Sequence, residues 1–256
     1  MTSSRLPGKV KMNISGYPML WHVWQRAKRI TPSNHTVIAT GISRKNNWIR
    51  SFCKKYMIDC FSGHDTDILK RYYIAAKTYK ADIIIRVMAD CPLLDPVVSS
   101  QVVEELITAN DDYRALGGTF PNGLDTEVFT FKLLETAEKK ARLSSEREHV
   151  TPFMYKNHNR FKCQMTFFPK DLYHLKLSVD RIEDLQLVRS IFKALFDQKK
   201  EWFGIGEIEN FLAKNTHLLC INEMSIRGEG YKKSLKKEKK HSEKKKSLFE
   251  KVFFNL

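Results

Sequence analysis

The apolar positions of this chain change period along its length, and the changes mark out its elements. His35-Thr36-Val37-Ile38-Ala39-Thr40 is a short β-rich run stopped by Gly41, which predicts a buried strand; helical spacing follows over 46–56. Between Asp65 and Tyr79, the residues Ile68, Leu69, Tyr72, Tyr73, Ala76 and Tyr79 recur at three- and four-residue steps. Asp65 or Thr66 stands ready as N-cap, so an amphipathic helix is expected. Residues 81–88 are nearly continuously apolar, as in a strand buried on both faces of a parallel sheet. That strand delivers Asp90 to its C-terminal end, the edge at which open α/β sheets bind ligands.

The alternation continues downstream. A helix is expected over 96–109, a turn-rich loop over 117–123, a strand over 125–131 and a helix over 132–142. The second half adds a helical stretch over 146–157, strands near 162–168 and 175–179, and helices over 182–196 and 206–214. No internal repeat or long linker divides this body. The pattern predicts one mixed α/β domain over 1–231, followed by a tail over 232–256.

Composition narrows the setting. With 256 residues, 42% of them hydrophobic, the chain can bury one substantial core, which excludes disorder throughout. The five cysteines, 53, 60, 91, 163 and 220, form an odd set without a CxxC pair, against a disulfide framework and against a closed thiolate zinc site. A reducing, cytoplasmic location is expected, since no apolar run is long enough to span a bilayer or to serve as a signal segment. The net charge of +15 is unevenly placed: residues 232–251 hold ten lysines against three glutamates, so the body is only modestly basic. The body interleaves no aromatic and basic platform, so no specific nucleic-acid partner is expected. The tail reads as disordered and solvated; its apolar end, Leu248 to Leu256, suits an anionic membrane surface as a secondary reading.

Four segments carry candidate chemistry. Ser3-Ser4-Arg5-Leu6-Pro7-Gly8-Lys9 is a small-residue turn whose amides, with one arginine and one lysine, suit a polyphosphate, although an ordinary basic turn has the same composition. Asp90, on a stiff turn with Pro92 and Pro96, can hold Mg2+, and Asp180 occupies a similar strand-end position after Leu175-Lys176-Leu177-Ser178-Val179. Either aspartate by itself also fits a helix cap or turn. Asp125 and Glu127 share one face of a strand and suit sugar hydroxyls, or a solvated face. Arg147 and His149, among Glu146 and Glu148, begin a helix and read either as site residues or as a salt-bridged turn.

In order, Ser4 to Lys9, Gly16-Tyr17-Pro18-Met19-Leu20, Val37 to Thr40, Phe61-Ser62-Gly63 with Asp67 to Tyr73, Arg86 to Pro96, Phe120 to Phe129, Arg147 to Pro152 and Arg227 to Ser234 resemble the cytidylyltransferases of surface-sugar biosynthesis. The resemblance is to the spore-coat-polysaccharide SpsF type, related to the acylneuraminate and KDO cytidylyltransferases, and it spans roughly 1–235. It implies an α/β, Rossmann-like three-layer nucleotidyltransferase fold with a mostly parallel sheet over 1–231, and Mg2+-dependent transfer of CMP from CTP to an acidic sugar, with pyrophosphate released. Arg5, Lys9 and Asp90 are then the catalytic residues. Ser4, Arg5, Gly8 and Lys9 would hold the triphosphate, Ala39 and Thr40 would line the base pocket, and Arg71 and Arg86 would contact anions. Asp90 and Asp180 would ligate magnesium; Asp125, Glu127, Arg147 and His149 would face the sugar. A homodimer is what relatives suggest.

The chain departs from the pattern in places. The family opens with a buried strand ending in a Gln-Ala-Arg-Met-type sequence directly before the loop, and Met1 falls at that methionine. The resemblance therefore implies that the first strand lies upstream, with Met1 internal to a longer reading frame. Gly41 stands where serine is frequent, Asn46-Asn47 replace an acidic pair, and Arg181 follows Asp180 in place of threonine or an acid. The competing reading is a catalytically inactive homologue that binds a nucleotide sugar or a polyanion; another retains the enzyme class and changes the base.

Overall fold

In a computed structural model of the protein, residues 5–196 and 202–240 are described. Ser4 of the phosphate-loop motif and residues 241–256 of the tail lie outside the described residues.

A short antiparallel pair, β1 (Asn13–Ile14) and β2 (Tyr17–Pro18), leads into α1 (Met19–Ala27). Next come β3 (Ile38–Gly41), α2 (Asn47–Tyr56), β4 (Cys60–Gly63), α3 (Ile68–Thr78), β5 (Ile83–Val87) and α4 (Pro96–Ala109). Then follow β6 (Tyr113–Leu116), β7 (Thr126–Thr130), α5 (Phe131–Lys140), α6 (Ser144–His149), α7 (Pro152–Lys156), β8 (Cys163–Thr166), α8 (Ile182–Leu195) and α9 (Ile205–Lys214). The α/β class and most predicted helices are present. Asp67, not Asp65 or Thr66, caps α3, its side chain accepting from Lys70 N.

The sheet differs from expectation in its pairing. β3 and β4 pair in parallel, as do β6 and β8, but β7 runs antiparallel to both β5 and β6. In the larger sheet, ordered β5-β7-β6-β8, β7 alone is reversed, while β5, β6 and β8 share one direction, so the expected mostly parallel arrangement holds with one antiparallel strand inserted. Residues 175–179 form no ladder; their contact is an isolated bridge between Lys176 and Asn122. The helical stretch predicted over 146–157 is broken into α6 and α7, because Val150 adopts φ 74° and Pro152 starts the second helix.

Residues 229–240 form a helix, here α10, so the expected boundary at 231/232 and an irregular tail from 232 are corrected for this stretch. Its contacts explain the order: Glu238 accepts from Ser145 N and from the hydroxyls of Ser144 and Ser145, and Ser234 meets Glu148 and His149.

Helices cover both faces of the sheet. On one, Ile83, Ile85 and Val87 pack toward Ala27, Val102, Val103 and Leu106; on the other, Ile84 packs with Leu69, Ala76, Leu133 and Leu134. Between β3 and β5 lies a slot of about 1080 Å3. Among the described residues, β3 pairs only with β4 and β5 only with β7, so two strand edges face each other across it.

Candidate active site

The turn over 5–11 is shaped by Gly8, at φ 71°, where a Cβ would come within 2.9 Å of Lys11 Cε. Buried Leu6 and Val10 anchor the turn in the main core. Lys9 thereby aims inward: its Nζ donates to Asp90 Oδ2 (2.7 Å), to the Val179 carbonyl (2.6 Å) and to Asp180 Oδ1 (3.2 Å). Arg5 donates from Nη2 to Asp180 Oδ1 (2.6 Å) and from Nη1 to Glu229 Oε2 (2.7 Å). Burial works against the charge on Lys9, but the Asp90 and Asp180 carboxylates outweigh it and raise its pKa.

Each acid has its own support. Asp90 follows β5 in a turn closed by Cys91 N to Met88 O (3.1 Å), with Cys91, Leu93 and Leu94 fully buried beyond it. The Asp90 carbonyl accepts from Val179 N (2.8 Å), which ties the two acid-bearing segments together. Asp180 is set by Asp184 at the start of α8, whose Oδ2 accepts from Asp180 N and Arg181 N (2.9 Å each) and from buried Lys176 Nζ (2.8 Å). Burial pushes the Asp184 pKa up, and the bonds from Lys176 and Asn222 more than reverse that.

The arrangement fits a small divalent cation. Two carboxylates from separate segments converge on one ammonium, and their side chains retain 21% and 16% exposure, so incoming oxygens can reach them. Among the described residues no cluster of three or more acid, histidine or cysteine ligands occurs. Two carboxylates with phosphate oxygens and water are the usual protein contribution to a magnesium site.

The structure distributes the remaining predicted residues between site and scaffold. Ala39, Arg71 and Arg86 border the slot beside Lys9 and Asp90, while Thr40 is buried on β3. Arg71 Nη1 donates to the His64 carbonyl (3.0 Å). Arg86 is paired with Glu127, which also accepts from the Tyr113 hydroxyl (2.7 Å) and the Thr151 hydroxyl (2.6 Å). Burial opposes the Arg86 charge, and Glu127 overcomes it and raises the pKa.

Asp125 precedes β7 and accepts from Asn122 Nδ2 (2.9 Å) and Gly123 N (2.7 Å), so its carboxylate locks the 121–125 turn. At Gly123, φ is 112° and a Cβ would lie 2.4 Å from Ser178 N, which leaves room for no other residue. Arg147, expected to face the sugar, is engaged in ion pairs within the scaffold. It binds Asp67 (2.7 Å) and Glu138 (3.1 Å), clamping α6 to the caps and ends of α3 and α5. His149 sits under α10, Nε2 at 3.0 Å from Ser234 Oγ and ring edge-on to Tyr231; burial lowers its pKa.

Sequence reasoning attached no role to Glu229, although it lies in the quoted Arg227-Gly228-Glu229-Gly230-Tyr231 motif. Its carboxylate gathers Lys233 (2.6 Å), Arg5 (2.7 Å) and Arg181 (3.2 Å), and bonds from Lys233 and Arg5 hold its pKa at about 2. Asp184 and Lys176, the support of Asp180, were missed as well. A basic loop, the acids Asp90 and Asp180 and the start of α10 thus form one cluster of alternating charge beside the C-terminal end of β5.

The chain belongs to the cytidylyltransferase family, whose pattern it matches over residues 1–238. It is thus a nucleotidyltransferase that uses CTP. It is similar to protein MJ1063 of Methanocaldococcus jannaschii, 34% identical over 232 residues, covering 90% of this chain and 93% of the relative. It is 24% identical over 200 residues to the spore coat polysaccharide biosynthesis protein SpsF of Bacillus subtilis, covering 75% and 83%. A shorter stretch of 106 residues, 41% of each chain, is 34% identical to the 3-deoxy-manno-octulosonate cytidylyltransferase of Haemophilus ducreyi. Among solved structures, a cytidylyltransferase from Leptospira borgpetersenii is similar with TM-score 0.80 and 30% identity, covering 86% of this chain and 92% of that one.

Proposed function

We propose that the protein transfers CMP from CTP to the anomeric hydroxyl of an acidic sugar in the cytoplasm, to activate it for a surface glycan. The observation that carries this reading is the convergence of Lys9 and Arg5 on Asp90 and Asp180. The acid-sugar class is supported by the similarity to the octulosonate enzyme, and the glycan role by the similarity to SpsF.

In the reaction, the sugar hydroxyl oxygen attacks the α-phosphorus and gives up its proton to water, the bond to the β-phosphate breaks and pyrophosphate leaves. Such transfers need positioning and charge neutralisation, with no covalent nucleophile. Arg5 and Lys9 exchange their carboxylate partners for phosphate oxygens, and the Gly8 turn brings backbone amides to the same anion. Asp90 and Asp180 would hold Mg2+, which when bound supplies positive charge to the phosphates. Glu127 and His149 lie toward α10, where the acceptor would sit; Arg86 and Arg147 act by holding that wall in place.

Pyrophosphate release with CTP, Mg2+ and a panel of sugar acids tests the reading. Release with at least one acid, lost in Asp90→Ala, supports it. Silence across the panel from a folded protein that still binds CTP would favour the inactive binding homologue.

A further inference from the structure

The helix α10 is clamped to the body along one side. At 3.6 residues per turn, Tyr231, Ser234 and Glu238 share a stripe, and each meets the body. The Tyr231 ring stands edge-on to His149, and Ser234 Oγ lies 3.0 Å from His149 Nε2 and donates to Glu148 (2.9 Å). Glu238 accepts from Ser145 N and from the hydroxyls of Ser144 and Ser145.

The opposite side is a plane of ammonium groups. Lys232, Lys233, Lys236, Lys237, Lys239 and Lys240 are all exposed there, with Lys233 reaching back to Glu229 (2.6 Å). The pairs 232/236, 233/237 and 236/240 are each four residues apart, a spacing at which like charges destabilise a helix. The nearby acids Glu148, Glu229 and Glu238 are engaged elsewhere, with Ser234, Arg5 and the start of α6. A surface of opposite sign laid on this plane turns its repulsions into attractions. Where Ser144 meets Glu238, the preceding Lys140, Arg142 and Leu143 are exposed and extend the basic surface onto the body.

The chemistry of the plane selects among anionic partners. It carries ammonium groups alone, without the guanidinium forks that grip phosphodiesters and base edges or the aromatic platform on which bases stack. Large apolar side chains flank it instead: Leu235 is 37% exposed at its margin, and Ile226 and Met224, just ahead of the helix, are 50% and 90% exposed. In sequence, three further lysines, 244–246, are followed by Leu248, Phe249, Val252, Phe253 and Phe254. Apolar residues beside clustered lysines suit the headgroup and acyl boundary of an anionic membrane and have no counterpart on a nucleic-acid backbone.

We propose that the lysine plane of α10 is a docking surface for an anionic lipid bilayer, on which the enzyme rests with its Glu238 clamp turned away from the lipid. Glu229, at the start of the same helix, binds Arg5, so docking holds the phosphate turn within about 18 Å, the length of this helix, of the surface.

Sedimentation of the full chain with phosphatidylcholine vesicles, with or without about 30% phosphatidylglycerol, tests the proposal. Binding is expected only to the anionic vesicles and should weaken at least about tenfold when salt is raised from about 0.1 to 0.5 M. A variant carrying Lys232→Gln, Lys236→Gln, Lys237→Gln, Lys239→Gln and Lys240→Gln should bind at least about 30-fold more weakly. The same exchange at five exposed lysines elsewhere, Lys45, Lys54, Lys55, Lys193 and Lys214, removes equal charge and should cost less than about threefold. Acetylation footprinting of the unsubstituted chain gives a reading that needs no variant: anionic vesicles should shield the α10 lysines at least about fivefold more than Lys45 and Lys54.

No binding to anionic vesicles at low salt overturns the proposal. Equal losses in the two variants, or equal shielding of both lysine sets, overturns it in favour of a response to net charge. Tighter binding to a DNA strand or duplex of about 20 nucleotides, at equal phosphate concentration, overturns it in favour of a nucleic acid. Loss of all vesicle binding on removal of 241–256, with the α10 lysines intact, overturns the assignment to α10. None of these readouts depends on CTP turnover, so their failure leaves the CMP-transfer reading standing.

Discussion

Lys9 Nζ lies 2.7 Å from Asp90 Oδ2, a contact between residues 81 positions apart. The same ammonium is shared with Asp180, so the loop cation sits where the two acids would hold a metal.

Removing one acid should separate chemistry from folding. Asp90→Asn and Asp180→Asn are each expected to lower kcat/KM for CTP by more than about 100-fold, the scale seen when one electrostatic contact to a reacting centre is lost. Thermal unfolding should change little for Asp90→Asn, because Lys9 keeps Asp180. Steady-state pyrophosphate release with circular dichroism melts checks both statements.

Lys9→Met should have opposite effects on metal and on turnover. Without the ammonium, the two carboxylates repel each other, and binding of Mn2+ in the absence of nucleotide should tighten by about tenfold or more. Turnover should fall by at least about 100-fold, because a phosphate contact is gone. Paramagnetic titration of free Mn2+ reads the first effect; weaker metal binding in the variant would contradict this account of the site.

Asp184 supports Asp180 and also neutralises Lys176, which is 9% exposed. Asp184→Ala leaves that buried cation only Asp180 at 3.5 Å and the Ser178 carbonyl, and should cost about 2–4 kcal/mol, most of it recovered in the Lys176→Met/Asp184→Leu pair. Urea unfolding of the three proteins measures it. A double variant as unstable as the single one would show that packing, not the unpaired charge, sets the cost.

His22 should make stability depend on mildly acid pH. It is buried, donates from Nε2 to the Ile14 carbonyl (2.7 Å), and burial lowers its pKa from 6.5 to about 4. The unfolded chain binds the proton first, so the contribution is complete above pH 6.5 and is lost as pH falls toward 4. The full span corresponds to about 3 kcal/mol. In His22→Gln, the slope of unfolding free energy between those pH values should be correspondingly smaller.

Arg147→Ala distinguishes scaffold from substrate contact. Its bonds to Asp67 and Glu138 join three helices, so a loss of about 1–3 kcal/mol is expected. The KM for the acceptor should move less than twofold at a temperature where the variant is folded. A large rise in KM with an unchanged melt would return Arg147 to the acceptor site.

Much of this was legible in one dimension. The three- and four-residue steps from Ile68 to Tyr79 gave α3, and the apolar run before Asp90 gave β5, because burying a helix stripe or a two-faced strand imposes those periods on the chain. The short strands β4 and β6 have four residues each, too few to show a period in the sequence. The direction of β7 was also not legible: a buried strand has the same composition whether its neighbours run with it or against it.

The sequence by itself determined the α/β class, the small-residue turn with its two cations, and the place of Asp90 after β5, since each depends on backbone preference or on periodic burial within a few residues. The tertiary structure alone decided which charges meet. Arg147 reaches Asp67 across 80 positions, Arg5 reaches Glu229 across 224, and Asp90 and Asp180 face one ammonium. Long charged side chains find partners by packing in three dimensions, and no local spacing encodes which carboxylate will lie within reach.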